Sequence, residues 1–538
     1  MTAANPGARL GTGLAAGLVA IAVVGLVVGG AIVALIAAAP PTATVAVWRD
    51  PYIRRVILFT LWQAALSTLL AVGLALPVAR ALARRAAFPG RTLLLRLFGL
   101  PLVVPVIVAV LGIVTVYGGN GWLNRLAAAA GLPALPVLYG LGGILLAHVF
   151  FNLPLATRIL LHAWAAVPGE TWRLASQLGM NSGQIFRLVE WPLLRQVLPG
   201  VAGLVFMLCL TSFAVVLTLG GGPAATIIEV AIYQALRLDF DLGRAVVLAL
   251  VQIVLAALFL GLGQGLARTP VTAPTEGRPA SRPDLASPLG RIMDALLIAA
   301  AAVFVALPLA AVAVAGLSGP VMRVIADAAL WRAAGNSLGV AVGAGGLALA
   351  LGWCLLTASR GLRRRRRARW AGAIELGGSL VLVVSPLVLG AGLFVLLLPL
   401  VDVLAVGLWL VVVVNAVMGL PYVIRLLGPP MMRLAAEQDR LCASLGIAGW
   451  DRFRLVEWPA LRRPAALALA VAAALAMGDL GAIALFGGGD TATLPLLLYQ
   501  RLGGYRLDEA AVTALLLVAL CLGVFALVER GVGGRAPG

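Results

Sequence analysis

The sequence contains no lysine and only two histidines among its 538 residues. A P-loop places a lysine on the phosphates of its nucleotide, so this chain cannot carry that motif. The four cysteines are far apart and include no C-x-x-C spacing, which argues against a disulfide framework and against a metal site. ATP hydrolysis at a P-loop of this chain is therefore excluded, and metal chemistry has no support.

Charge is also scarce, because only 11% of the residues are charged while 62% are hydrophobic and the mean hydropathy is +1.05. Many apolar runs reach the roughly 20 residues that a helix needs to cross a bilayer. This pattern predicts an all-α polytopic membrane protein with about 12 transmembrane helices. The predicted helix centres lie near residues 26, 70, 105, 150, 210, 255, 304, 347, 386, 413, 475 and 520.

The first apolar run follows Arg9 and continues to about Pro41. The apolar core of a secretory signal peptide usually spans only about 7 to 15 residues. We therefore interpret this run as a retained first membrane helix. Its N-terminus is predicted to be cytoplasmic.

The net charge of +19 comes entirely from arginine. A basic chain can bind nucleic acid, but most of these arginines lie in short loops between apolar runs, as the positive-inside rule describes. We therefore exclude nucleic acid as a partner and place both termini in the cytoplasm. The clusters around Arg84 and in the run from Arg363 to Arg367 are expected to contact anionic membrane lipid.

One polar block occurs twice. The segment FRLVEWPLLR covers residues 186–195, and FRLVEWPALR follows 267 residues later at 453–462. The same offset relates Glu170 to Glu437 and Gly179 to Gly446. We call residues 170–195 and 437–462 the coupling elbows. The duplication predicts two tandem six-helix halves, 1–267 and 292–538, joined by a flexible cytoplasmic proline-rich linker at 268–291.

Each elbow is predicted to be two short helices that lie in a cytoplasmic loop. In the first copy, Leu174, Ala175 and Leu178 are expected on one side of an amphipathic helix that Gly179 ends. Asn181 and Ser182 should cap the second helix, and the position before Pro192 should end it. An alternative is that such a helix merely rests on the lipid headgroups.

The pattern E-x-x-x-L-x-x-x-L-G followed by F-x-x-V-x-x-P-x-L-R resembles the EAA motif of bacterial ABC importer permeases. Thr171 and Gln438 replace the usual alanine after the glutamate, and Cys442 replaces another alanine. The resemblance implies that each elbow is a coupling helix fitting a groove of a separate, homodimeric ATPase. The implied coupling residues are Glu170, Ala175, Leu178, Gly179, Glu437, Cys442, Leu445 and Gly446.

The resemblance also implies that this chain is not an enzyme and binds no cofactor, because the partner ATPase uses ATP-Mg. A periplasmic binding protein would deliver the substrate. WQA near Trp62, LAHVFFNLP at 146–154, LGGGP at 219–223 and IYQALRLDFD at 232–241 are similar to permeases of thiamine and thiamine pyrophosphate importers in the bacterial inner membrane. Permeases for ferric iron or another small solute remain an alternative, and an integral membrane enzyme or a secondary transporter has less support.

Polar residues in membrane helices are costly and are therefore candidates for a transport pathway or gate, although a satisfied interhelix contact is the alternative. These candidates are Asp479, Asn152, Asn336 and Asn415. A second set follows the glycine triplets at 220–222 and 487–489 and is expected to contact the binding protein, with a tight helix exit as the alternative. Its members are Glu229, Tyr233, Gln234, Asp490, Tyr499 and Gln500.

Overall fold

The computed structural model describes residues 6–39, 49–133, 138–266, 282–285, 287–379, 381, 384–447 and 449–533. All regular elements within these ranges are helical, which confirms the all-α prediction. In chain order, the helices are α1 (Pro6–Ala38), α2 (Pro51–Arg84), α3 (Arg91–Leu97), α4 (Val106–Tyr117), α5 (Trp122–Ala129), α6 (Leu141–Ala165), α7 (Gly169–Gln177), α8 (Ser182–Ile185), α9 (Trp191–Leu210), α10 (Phe213–Leu219), α11 (Ile228–Arg237), α12 (Leu242–Leu266), α13 (Pro288–Ser318), α14 (Val321–Ala326), α15 (Ala328–Arg364), α16 (Ala368–Ser379), α17 (Pro386–Leu397), α18 (Gly407–Ser444), α19 (Gly449–Arg452), α20 (Trp458–Gly478), α21 (Gly481–Phe486), α22 (Leu494–Gly503) and α23 (Leu507–Gly533).

Eleven helical stretches in the described ranges are long and apolar enough to cross a membrane. Seven of them have midpoints within a few residues of a predicted centre. The predicted centres near residues 105, 210, 413 and 475 lie about 11 to 14 residues from the midpoints of their spans. No such stretch lies at the centre predicted near residue 386. There the helix is α17, which has 12 residues. At 1.5 Å per residue it is about 18 Å long, shorter than a hydrocarbon core of about 30 Å. The polytopic permease architecture is confirmed, with one predicted span reduced to a short helix.

The chain divides into two compact units. One contains residues 1–49, 231–253 and 318–538, and the other contains residues 50–230 and 254–317. Each unit therefore takes residues from both sequence halves. These boundaries differ from those of the two tandem halves, whose assignment as domains stays a prediction based on the repeated sequence.

The unit of residues 50–230 and 254–317 is built around the packing of α2 against α6. Its core includes Phe98, Phe150 and Val305, all of which are fully buried. Helix α13 joins this core, where Phe304 makes an edge contact with Phe150 at a centroid distance of 6.3 Å. Gly112 of α4 lies so close to Pro308 of α13 that a Cβ atom would approach the proline carbonyl oxygen to 2.3 Å.

In the other unit, α15 packs against α18 and α20, and α1 packs against α15 and α17. Small residues allow these close approaches. A Cβ atom on Gly17 would lie 2.1 Å from the Cβ of Ala358, and one on Gly392 would lie 2.7 Å from that of Ala31. Small residues at crossings are typical of membrane helices, whose association depends on close van der Waals contact.

Candidate functional site: the two coupling elbows

The first elbow turns at Gly179. Helix α7 ends at Gln177, and Gly179 adopts φ +61°, a left-handed conformation that favours glycine. The Gly179 N–H donates to the Ser176 carbonyl at 3.1 Å, and the Met180 N–H donates to that of Ala175 at 3.0 Å. These two bonds close the last helical turn in a Schellman motif. The predicted stop at Gly179 is confirmed.

The second elbow uses the same closure at Gly446, whose φ is +66°. The Gly446 N–H donates to the Ala443 carbonyl at 3.3 Å, and the Ile447 N–H donates to that of Cys442 at 2.9 Å. Here, however, the first part of the elbow is the end of the 38-residue helix α18 and not a separate short helix. In the first copy Pro168 precedes α7, whereas the equivalent position holds Ala435 within α18. Alanine allows the helix to continue.

Asn181 caps the second short helix of the first elbow through a capping box. Its side-chain oxygen accepts the Gln184 N–H at 2.9 Å, and its own N–H donates to the Gln184 side chain at 2.9 Å. The predicted helix end before Pro192 is wrong, because Trp191 is helical with φ −63° and the chain continues into α9. Residues 186–190 form a π-helical turn in which the Trp191 N–H donates to the Phe186 carbonyl. The wider turn accommodates Pro192 without ending the helix.

The second copy repeats this π turn at residues 453–457, where the Trp458 N–H donates to the Phe453 carbonyl. π turns are rare and frequently lie at functional sites. Both elbows therefore share two unusual backbone features, a left-handed glycine and a π turn, at equivalent positions. Two copies of one sequence block have produced two copies of one local fold.

Each elbow exposes two leucine side chains in the helical turns before its left-handed glycine. Leu174 and Leu178 are 56% and 66% exposed, and their equivalents Leu441 and Leu445 are 53% and 63% exposed. The coupling residues Glu170, Gly179, Glu437 and Gly446 are exposed as well. An apolar pair beside a glycine turn and a carboxylate is a surface suited to a partner protein, since exposed apolar patches mark interaction sites.

Ala175 and Cys442 differ from the other predicted coupling residues because they face inward. They are only 1% and 2% exposed. Ala175 packs with Trp172 and Ile185 in a small core beneath the first elbow. The prediction that Ala175 shares one helix side with Leu174 and Leu178 is therefore wrong. A helix position one residue from Leu174 points about 100° away from it, which is enough to turn Ala175 into the core.

The inward orientation of Cys442 predicts slow labelling by thiol reagents. In a variant whose single cysteine is Cys442, a maleimide should react at least about tenfold more slowly than in a matched variant whose single cysteine is Leu445→Cys, because only exposed thiols react freely. Mass spectrometry of the labelled protein measures both rates. Equal rates would show that Cys442 is exposed together with Leu441 and Leu445.

The first elbow itself contains a buried carboxylate, Glu190, whose side chain is inaccessible to solvent. Glu190 accepts a hydrogen bond from Arg80 Nε at 2.6 Å and one from Arg282 Nη2 at 2.6 Å. Trp164 Nε1 donates to it at 3.1 Å. Arg80 also donates to the Ser182 carbonyl at 3.0 Å and thus ties the end of α2 to the start of α8. Buried charges persist when they are paired and hydrogen-bonded in this way.

The second elbow has an equivalent network. Glu457 accepts from Arg360 Nη1 at 2.7 Å and from Arg452 Nε at 2.8 Å. Arg452 also pairs with Asp439, which lies 3.2 Å from Arg364 Nε. Glu190 and Glu457 are equivalent residues of the repeated block, and Arg80 and Arg360 occupy the same place near the ends of α2 and α15. Each elbow is therefore fixed to a membrane helix by an ion pair between a buried glutamate and a partly buried arginine.

These ion pairs were not predicted from the sequence. The signal was present, because Glu190 and Glu457 belong to the identical FRLVE segments. Arg80 and Arg360, however, are 280 residues apart and not 267. The connection between α4 and α6 is longer than that between α17 and α18, so a single offset cannot align both partners of each pair.

Asp479 directly follows α20 and accepts the Gly481 and Ala482 N–H groups at 3.1 and 3.0 Å. Asn415 Nδ2 donates to Asp479 Oδ2 at 3.3 Å, the oxygen that also accepts the Ala482 N–H, and donates to the Val411 carbonyl at 3.1 Å. The structure thus brings Asp479 and Asn415 together at the start of α21. These bonds satisfy the carboxylate, and a role of either residue in a pathway or gate stays a prediction.

The other two candidate pathway residues lie elsewhere. Asn152 is buried and donates to the His148 carbonyl at 2.9 Å and to Cys209 Sγ at 3.4 Å. Asn336 donates to the carbonyls of Asp490 and Ala492 at 2.8 and 2.9 Å, which holds the loop after the second glycine triplet. Their contacts are those of structural amides, and their transport roles stay predictions.

The candidate contacts for a binding protein differ in exposure. Asp490 has an 84% exposed side chain and pairs with Arg332, whereas Glu229 is buried and accepts the Phe213 N–H at 3.1 Å. Gln500 is exposed. The remaining three residues are partly buried, namely Tyr233, Gln234 and Tyr499. Contact with a binding protein stays a prediction for all six, and Asp490 and Gln500 are the most accessible of them.

No family model matches the chain. The thiamine transport system permease protein ThiP of Brucella abortus (strain 2308) is 45% identical over 97% of this chain and 95% of its own length. The protein of the same description from Escherichia coli (strain K12) is 47% identical over 91% of each chain. The molybdenum transport system permease protein ModB of Mycobacterium bovis is 33% identical over 42% of this chain and 83% of its own length. Sequence identity of 45 to 47% over nearly the full length of both chains shows that this chain belongs to the thiamine transport system permease family.

Proposed function

We propose that this chain is the membrane permease of an ATP-driven importer that moves thiamine, its phosphate esters, or both into the cytoplasm. A periplasmic binding protein delivers the substrate, and the two halves of the permease alternate between outward and inward access. The observation that carries this proposal is the pair of elbows, which share a left-handed glycine, an exposed leucine pair and a buried glutamate. The cargo assignment rests on the nearly full-length similarity to thiamine transport permeases.

A homodimeric ATPase is the partner that the two elbows fit best. Two equivalent docking surfaces on one chain match the two equivalent subunits of a dimer. ATP-Mg is bound and hydrolysed by that partner, since this chain has no lysine for a P-loop. Both elbows and both termini face the cytoplasm in this arrangement, as the arginine distribution indicates, and exposed arginines of the two clusters, such as Arg96 and Arg367, lie beside anionic lipid of the inner membrane.

ATP hydrolysis is needed if both thiamine and its pyrophosphate ester are carried. An inside-negative membrane potential favours entry of a cation by about 2.3 kcal/mol per charge per 100 mV and opposes entry of an anion by a similar amount. A passive pathway would therefore favour thiamine over the ester. A motor that acts through the elbows removes this dependence on the charge of the cargo.

The proposal is tested by reconstituting the permease with its ATPase and binding protein in proteoliposomes. Thiamine-loaded binding protein should raise the ATPase rate and support thiamine uptake, whereas empty or iron-loaded binding protein should not. The measurement with iron-loaded binding protein is included because fused permeases for ferric iron share the elbow pattern. Stimulation by the iron-loaded form alone would contradict the thiamine assignment and leave the importer class in place.

A further inference from the structure

The part of the predicted linker that the structure describes is docked against the first elbow. Residues Arg282–Leu285 belong to the segment predicted to be a flexible connection, and α13 already begins at Pro288. The side chains of Arg282 and Asp284 are 8% and 0% exposed. The charges of these two residues are paired beneath the elbow, and the flexibility of the linker as a whole stays a prediction.

Arg282 connects two buried carboxylates. Its Nη2 atom lies 2.6 Å from Glu190 Oε1, and its Nε atom lies 3.1 Å from Asp284 Oδ1. Its guanidinium group also stacks over the Trp172 ring at 4.3 Å. A planar guanidinium can serve two carboxylates and an aromatic face at once, which an ammonium group cannot do.

Asp284 connects Arg282 to the rest of the elbow. Arg84 Nε lies 3.6 Å from its Oδ2 atom, and Ser182 Oγ, at the start of α8, donates to the same oxygen at 3.3 Å. The Asp284 carbonyl accepts a further bond from Arg84 Nη2 at 3.2 Å. The described linker residues thus contact both α2 and α8, the two elements that Arg80 also connects.

The second elbow builds the same network from its own residues. Arg452 bridges Glu457 and Asp439 as Arg282 bridges Glu190 and Asp284. Arg364 contacts Asp439 as Arg84 contacts Asp284. The connectivity of the four ion pairs is identical, although Arg452 and Asp439 belong to the elbow whereas Arg282 and Asp284 come from the linker.

The sequence explains why the first elbow needs an outside contribution. The first-copy equivalent of Arg452 is Ile185, and that of Asp439 is Trp172. Both are buried apolar side chains in the small core beneath the elbow. The first copy therefore lacks the bridging arginine and its aspartate, and Glu190 would keep only Arg80 as an ionic partner among the described residues of the elbow and α2.

We propose that Arg282 and Asp284 are positioning residues for energy coupling, which complete the first elbow in place of the arginine and aspartate that the second elbow carries itself. These two linker residues then contribute to energy coupling, in addition to connecting the two halves of the chain. This inference rests on the proposed function, because it concerns how the first elbow transmits force from the ATPase.

The charges of the two residues fit this role at physiological pH. Burial disfavours the charged form of Asp284, but the hydrogen bond and charge of Arg282, with further charge from Arg84 and Arg80, lower the pKa of this carboxyl overall. Burial likewise opposes the charge of Arg282, while Asp284 and Glu190 raise its pKa. A carboxyl with a lowered pKa stabilises the fold above its unfolded pKa and loses that contribution only as the pH falls through the folded pKa. Mildly acidic conditions should therefore leave Arg282 and Asp284 docked.

Proximity is tested first, in the full chain without its four native cysteines. Ser182→Cys with Asp284→Cys should form a disulfide when membranes are treated with copper phenanthroline, because the two side chains are in hydrogen-bond contact. Ser182→Cys with Arg291→Cys is the matched control and should form far less disulfide, since Arg291 lies on the first turn of α13, seven residues beyond Asp284. Absence of the first disulfide would overturn the proposal, whatever the transported substrate is.

Coupling is tested in the reconstituted importer. Arg282→Ala with Asp284→Ala should reduce thiamine uptake per ATP hydrolysed by about tenfold, within the range of typical coupling energies. Arg452→Ala should give a similar loss through the second elbow, and Arg291→Ala should match wild type. If the double variant fails to insert, thiamine uptake per ATP is measured for Arg282→Lys instead. This variant keeps the positive charge but loses the planar guanidinium group that bridges the two carboxylates, so its uptake per ATP should also fall.

The outcomes separate this inference from the proposed function. A wild-type chain that does not import thiamine contradicts the proposed function and leaves the disulfide result unaffected. A wild-type chain that imports thiamine, with a double variant that couples equally well while Arg452→Ala is impaired, overturns the positioning role of the linker. Uptake per ATP is the decisive quantity, since a loss of protein alone would lower both rates together.

Discussion

Replacement of Gly179 or Gly446 with arginine should abolish thiamine uptake while the permease still inserts into the membrane. Both glycines have positive φ values, which cost a residue with a Cβ about 1 to 2 kcal/mol. A Cβ at either position would meet no atom within 4 Å, so the new side chain points into open space. The strain and the added charge fall on the surface that we propose docks on the ATPase, and loss of a central contact at an interface typically costs about 2 kcal/mol or more and weakens binding more than tenfold.

The matched control is Gly361→Arg in α15. Gly361 is also free of neighbours within 4 Å, but it lies within a regular helix. This variant introduces the same side chain without strain at an elbow and should retain uptake. Uptake in proteoliposomes and the amount of inserted permease are measured for all three variants. Normal uptake by Gly179→Arg and Gly446→Arg would show that the elbows do not couple.

The second large effect is expected at the buried glutamates. Glu190→Gln or Glu457→Gln removes the negative charge that balances two arginines, and loss of one partner from a buried ion pair typically costs about 3 to 5 kcal/mol. We therefore expect a lower melting temperature of the purified permease and weaker coupling to the ATPase. Thermal unfolding in detergent, followed by ATPase stimulation after reconstitution, measures the two effects separately.

Glu170→Gln provides the control for stability. Glu170 is exposed in the same elbow, and a surface substitution of this kind usually changes stability by less than about 0.5 kcal/mol. Its melting temperature should equal that of wild type even if docking of the ATPase is weakened. Equal melting temperatures for Glu190→Gln and wild type would show that the buried ion pairs do not hold the elbows in place.

The sequence was sufficient for the helical class, for most membrane helices and for the elbows. Long apolar runs specify membrane helices because a bilayer offers no alternative partner for the backbone. Gly179 and Gly446 could be identified as turns because a left-handed position favours glycine, and their repetition removed the ambiguity of a single motif.

Three features required the structure, each for a physical reason. The π turn at residues 186–190 depends on how the chain relieves the clash of Pro192, and several helical solutions suit the same sequence. The inward position of Ala175 depends on how α7 is rotated about its axis, and a small residue such as alanine gives no sign in the sequence of which side faces the core. Arg282 contacts Glu190, and Asp284 contacts Ser182, although the residues of each pair are about 100 positions apart in the sequence. The proline-rich composition of this segment indicates only a flexible chain and does not predict such contacts.

Both elbows are predicted to face the cytoplasm and to dock on the ATPase. Cysteine variants Leu178→Cys and Leu445→Cys, each made without the native cysteines, test this prediction most directly in vesicles of known orientation. We predict that a membrane-impermeant maleimide labels both positions only in inside-out vesicles, and that a short bifunctional crosslinker joins both positions to the ATPase subunit. Labelling of either position in sealed right-side-out vesicles, or failure of either elbow to cross-link to the ATPase, would contradict the account.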